Sequence, residues 1–144
     1  MRRRLREAWG RLRGGALVPW RAAASVAVGL AIGVTPLWGA HWLLVLVVCV
    51  PLRLDAPVAF VASNISLPFI APFLTLGEIE AGAWARTGRG ISLDVDAVRA
   101  HGVTAFAGEL GIGVAIFAGG AAVLGGGVAY AVASLARSRR ARNG

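Results

Sequence analysis

His41, Ser63, Asn64, Ser66 and Glu109 are the side chains best placed to do chemistry inside apolar surroundings. His41 follows the run Thr35-Pro36-Leu37-Trp38-Gly39-Ala40, and Asn64 and Ser66 sit in Ser63-Asn64-Ile65-Ser66-Leu67-Pro68. Proline and glycine interrupt helices, and a break frees backbone amides and carbonyls that an apolar medium cannot satisfy. Polar side chains beside such breaks suit a binding site lined partly by main chain, as in the broken helices of transporters. Pro36, Gly39, His41, Asn64, Ser66, Pro68 and Glu109 are therefore the candidate intramembrane site. Each polar member also has a plainer role. Asn64 can cap the helix after Pro68 or satisfy freed backbone groups, His41 can sit at an interface between Trp38 and Trp42, and Glu109 can be an interfacial acid.

Other chemistries lack their partners. His41 and His101 stand sixty residues apart, Cys49 is the single cysteine, and neither Cys-x-x-Cys nor His-Glu-x-x-His spacing occurs. No metal site is expected. Gly111-Ile112-Gly113 lies in an apolar run with no preceding strand, so it reads as packing rather than as a phosphate loop. Ser63 and Ser66 have no His–acid pair in sequence, and His41 could serve them only through folding. The sequence predicts no enzyme and no cofactor.

The surroundings of these residues set the fold class. The 144 residues are 57% hydrophobic and 15% charged, with a mean hydropathy of +0.69. A soluble domain carries about 25% charged residues. Ala22–Leu52 runs for thirty-one residues without Asp, Glu, Lys or Arg, well beyond the ~18 that mark a membrane span. An all-α integral membrane protein is expected. The net charge of +8 comes from 15 arginines and no lysine against seven acids. Six arginines lie in the first thirteen residues and four in the last eight. They flank apolar segments and read as an orientation signal rather than a nucleic-acid surface, with both termini cytoplasmic.

Residues 2–13 place Leu5, Ala8, Trp9 and Leu12 on one helical arc with arginines around it, as in an amphipathic helix among anionic lipid headgroups. Residues 1–19 are thus a basic interfacial segment, 20–136 a single membrane domain and 137–144 a basic cytoplasmic tail. A helix over the whole of 22–52 would span about 46 Å against ~30 Å of hydrocarbon, too long for one crossing and too short for two. Half-length helices near 22–34 and 41–51, joined by the Pro36–Gly39 break, suit a re-entrant hairpin. The segment from 56 onward repeats the plan, with a break at 63–68 and a helix running toward Trp84 that carries Glu78 and Glu80 near its end. Ser92, with Asp94 and Asp96 behind it, reads as the start of another helix. Residues 103–136 form a glycine-rich transmembrane helix, in which Gly111, Ala115 and Gly119 at four-residue spacing, then Ala121, Gly125, Ala129 and Ala133, predict close packing within the chain, a pattern that Gly29 and Gly33 repeat in the first segment. Residues 78–101 carry four acids against three arginines and should lie outside. The chain then crosses twice, or four times if 22–52 is not re-entrant. No polar mature domain follows the basic start, so residues 1–144 are expected to be the mature chain.

The run Gly29-Leu30-Ala31-Ile32-Gly33-Val34-Thr35-Pro36-Leu37-Trp38-Gly39, then Leu52-Arg53-Leu54-Asp55-Ala56-Pro57, Asn64-Ile65-Ser66-Leu67-Pro68 and Leu76-Gly77, resembles the bacterial membrane proteins grouped as domain of unknown function 2062. The resemblance covers residues 20–136, including the glycine-rich last helix with Tyr130. Asp55 stands where that family often has Asn, and Ile65 replaces the proline after Asn64. The resemblance implies a polytopic protein of the bacterial inner (plasma) membrane and supplies no reaction. Some members are joined to glycosyltransferase-like domains, which points toward the cell envelope.

The function expected is a small translocation module for a lipid-linked or small polar substrate of the cell envelope. The alternative is a non-transporting membrane scaffold that anchors a partner. Expected partners are the lipid bilayer, anionic headgroups at the N-terminal helix and, as an option, further copies of the chain as a homo-oligomer. Nucleic acid is not among them.

Overall fold

The structure, a computed structural model, describes residues 18–36, 39–64, 70–90 and 103–143. The expected helix at 2–13, Ser66, Pro68 and the helix start at Ser92 lie outside the described residues. Among the described residues the chain is all-helical. It forms α1 (Pro19–Val34), α2 (His41–Cys49), α3 (Ala56–Ser63), α4 (Ala71–Thr87), a 3-10 turn (Val103–Phe106) and α5 (Ala107–Asn143). The basic residues of 137–143 continue α5 as helix.

The Leu52–Pro57 motif closes one helix and opens the next. Leu54 N–H donates to the Cys49 carbonyl at 2.9 Å and Arg53 N–H to the Val50 carbonyl at 3.1 Å. This crossed pair ends a helix when the residue after its last turn adopts the left-handed conformation, and Arg53 does so with φ 53°. Leu54 packs back on the Val45, Cys49 and Ala59 cluster. Asp55 then caps α3, its Oδ1 accepting from Val58 N–H at 3.1 Å, while Pro57 occupies the first turn. So tight a reversal lays α3 against α2.

Small residues set the remaining contacts. The hydroxyl of Ser25 accepts from Asp55 N–H at 2.9 Å, thirty positions on. At the same offset Gly29 faces Ala59 and Gly33 faces Ser63, so α1 and α3 run parallel. A methyl on either glycine would overlap the facing carbonyl. The long helix α5 acts as a rail of about 55 Å. Its first part takes α4 in antiparallel register, with Gly82 against Glu109 and Gly113, Gly113 against the Glu78 backbone, and Gly77 against Phe117. A later part takes α1, with Gly125 against Leu30 and Val26 and Gly126 against Ala27 and Ala23. α1 and α4 both run against α5, one beyond the other.

Among the described residues α5 is the one helix long and apolar enough to cross a membrane, and only 17% of its most apolar stretch is buried inside the molecule. The expected packing stripe is used in part: Gly125, Ala129 and Ala133 are packed or buried, and Gly29 and Gly33 meet α3. Gly111 and Gly119 meet nothing within 4 Å, whereas Gly113, Gly125 and Gly126 lie against neighbours. Four-residue spacing defines a face but does not say which face a partner takes.

Gly113→Ala should therefore destabilise the fold by about 1–3 kcal/mol, the cost of forcing a methyl into a filled contact. Gly119→Ala should instead gain up to about 1 kcal/mol, because alanine is the better helix former and meets no neighbour. Thermal unfolding of the two variants in detergent micelles, followed by helicity, separates them.

Candidate functional site

Thr35 and Pro36 stop α1. The Thr35 hydroxyl and amide both donate to the Ile32 carbonyl, and its backbone turns extended at ψ 135°. Gly39 then takes φ +84°, a conformation that side chains rarely adopt. His41 opens α2, and its Nε2 lies 3.2 Å from the Thr35 carbonyl oxygen. A carbonyl can only accept, so this contact assigns the ring proton to Nε2. His41 thereby ties the two sides of the break together.

Val34, Thr35, Pro36, Gly39 and His41 form one wall of a cleft of about 160 Å³. The other wall is Ala71, Leu74 and Thr75, the first turns of α4. The cleft thus sits where α1 stops and α4 begins. The first turn of α4 contains Pro72 and has no side-chain cap, so its leading amides depend on partners from outside the helix. Two hydroxyls, an imidazole and helix-end main chain give the cleft capacity to hold a small polar group.

Of the residues singled out from sequence, Pro36, Gly39 and His41 meet here. Asn64 does not. It is exposed, and its Nδ2 donates to the Phe60 carbonyl at 2.6 Å, an acceptor it shares with the Ser63 hydroxyl. Its own amide has turned to Val61, so Asn64 repairs the frayed end of α3. Glu109 accepts from Arg86 Nη1 at 2.6 Å and joins the far ends of α4 and α5. With Arg86 more than half exposed, that pair contributes about 0–1 kcal/mol. Ser66 and Pro68 fall outside the described residues.

Two residues of interest were not singled out from sequence. Thr75 reads there as one polar side chain in an apolar helix. Glu78 reads as part of an external polar region, yet in the structure it is fully buried in α4, one turn beyond Leu74 and Thr75. Among the described residues neither carboxylate oxygen has a hydrogen-bond partner. Leaving a charge buried and unpaired costs several kcal/mol. The signal available was Gly82, four residues on, since an acid and a glycine at that spacing share a helix face. Among the described residues no cluster of three or more His, Cys, Asp or Glu side chains could hold a metal.

The family described as "uncharacterized protein conserved in bacteria (DUF2062)" matches residues 2–142. The chain belongs to this family. The match reaches into the basic N-terminal segment, further than the motifs read from the sequence. No curated protein and no solved structure matches the chain. In this family member the ordered motifs have local physical causes: Thr35-Pro36 ends a helix, Arg53 and Asp55 cap two more, and Leu76-Gly77 lies on α4 beside Phe117.

His41→Ala should loosen the break by removing one net hydrogen bond, a loss of about 1 kcal/mol. His41→Gln keeps an N–H donor and should lose less. Chemical unfolding of both variants in micelles measures the difference.

Proposed function

We propose that the chain is a bacterial inner-membrane protein that crosses the bilayer twice. The outward crossing is α3 with α4, the return is α5, and α1 with α2 forms a re-entrant hairpin. At its tip, the cleft passes a small polar solute or a lipid headgroup of the cell envelope.

The position of the cleft carries this reading. It lies between two charged ends of the bundle. At one end α1 begins with Trp20 and Arg21, whose guanidinium sits 5.7 Å from the Trp20 ring, on the side where α5 runs into its arginines. At the other end Arg86 pairs with Glu109 beside the exposed Trp84. Tryptophan and arginine at both ends suit the two bilayer interfaces. α1 is 16 residues long, about 24 Å, so its tip stops short of a full crossing. Outward-facing Leu43, Leu46 and Val47 on α2, with Val123, Leu124 and Val128 on α5, suit contact with acyl chains. The arginine-rich chain ends support a cytoplasmic position for both termini under the positive-inside rule.

A second reading has its own support. Gly111, Gly119 and Gly127 on α5 face open space, and small residues on an unoccupied face let another helix approach closely. A non-transporting scaffold would use that face for a partner or a second copy.

Purified protein in liposomes distinguishes the two. Scrambling of a headgroup-labelled phospholipid is read by dithionite quenching, and glycerol entry by light scattering. The translocation reading expects one of these fluxes above that of protein-free vesicles. Thr75→Leu, which fills the cleft without changing charge, should lower it roughly tenfold or more, a barrier increase of about 1.4 kcal/mol. Absence of both fluxes with correctly inserted wild type would favour the scaffold.

A further inference from the structure

The fully buried Glu78 has no role in either wall of the cleft, and among the described residues its two carboxylate oxygens have no partner. Among the described residues its surroundings offer none. The helix packed on α4 at this level is α5, which presents Gly113, a residue with no side chain, directly to the Glu78 backbone. The acid of α5, Glu109, is one turn further on and held by Arg86, and the next charge along α5 is Arg137. On α4 itself Glu80 lies against Gly90, and Arg86 is engaged by Glu109. From the hairpin side the titratable group at the cleft is His41, whose Nε2 faces Thr35. Among the described residues no cation faces Glu78, and no cluster of ligands stands ready for a metal.

A carboxyl in such a place can dispense with a charged partner by carrying a proton. The seam around it is tight. Gly82 and Gly113 bring the backbones of α4 and α5 together so closely that a methyl on either would overlap main chain. Water can reach Glu78 if that seam loosens or if the cleft, one helical turn away at Leu74 and Thr75, extends down to it.

We propose that Glu78 is a proton-binding site. With α4 and α5 closed its carboxyl holds a proton. When the seam opens, water accepts that proton and solvates the carboxylate left behind. Reprotonation lets the glycine contact re-form. The site stands whether or not a solute passes through the cleft, so its test does not depend on flux.

Dicyclohexylcarbodiimide provides that test, because it reacts with protonated carboxyls in apolar surroundings. The carboxyl proton moves to a carbodiimide nitrogen and the carboxyl oxygen bonds to the central carbon, giving an acylurea after rearrangement. Full-length protein in liposomes is treated with the reagent and digested, and the modified acids are assigned by mass spectrometry. Selective labelling of Glu78 over Glu80 and Glu109 is expected. It should be lost as the medium is made alkaline and be the same in sodium and choline salts. Labelling no greater than at Glu80, or protection by sodium, would overturn the proposal. Glu78→Gln keeps the uncharged shape and should fold, insert and lose the labelled peptide. Failure of that variant to fold would also count against it, since a neutral amide should replace a neutral carboxyl.

Discussion

Gly113 of α5 lies so close to the Glu78 carbonyl of α4 that no side chain fits between them, and Gly82 meets Glu109 in the same way. Gly29 and Gly33 hold α1 against α3 under the same constraint. Helix backbones at this distance gain close packing that larger side chains would forbid. The contacts also fix register, because a shift along either helix would drive a neighbouring side chain into the gap. Once α1 and α4 are registered on different parts of α5, their facing ends must share a short space beside the rail. The cleft is that space. Its walls follow from where two helices stop.

The stops are chemical as well as steric. Thr35 satisfies the end of α1 with its own hydroxyl, Asp55 receives Val58 N–H at the start of α3, and Asn64 with Ser63 serves the Phe60 carbonyl at the end of α3. Helix ends set among apolar residues need such partners, since an unmade hydrogen bond there costs several kcal/mol. Against this background Glu78 stands apart. Among the described residues its buried carboxylate oxygens have no partner, whereas these three helix ends are served by side chains close in sequence.

Much of this plan was legible in the sequence. The Thr35-Pro36…Gly39 run and the Asn64…Pro68 run mark interruptions by steric exclusion alone, and the helices before and after them begin and end within a few residues of those signals. That Pro36, Gly39 and His41 come together was legible for the same reason, because all three belong to one helix interruption, and they line one cleft. Partner choice was not legible. Gly111, Gly113 and Gly119 share one apolar helix, and only the placement of α4 decides that Gly113 is the contact. Glu78 was read as solvated because acids normally are, and its burial depends on α5, thirty-five positions further along at Gly113. Asn64 offered both donor and acceptor for a shared site, yet the nearest unsatisfied carbonyl, on its own helix, took its amide.

The central claim is that the hairpin tip lies at the depth where α1 ends beside α4, between the two interfaces. Trp42 is on that tip and exposed, as are Trp20 and Trp84 at the two ends of the bundle. Spin labels on single cysteines at these three positions, in a Cys49→Ser background, report depth through their relative accessibility to oxygen and to a water-soluble nickel chelate. The account predicts that the Trp42 position is deeper than both others, near the bilayer centre, with Trp20 and Trp84 at interfacial depth. A Trp42 label as shallow as that at Trp84 would contradict it and require the hairpin to cross the bilayer completely.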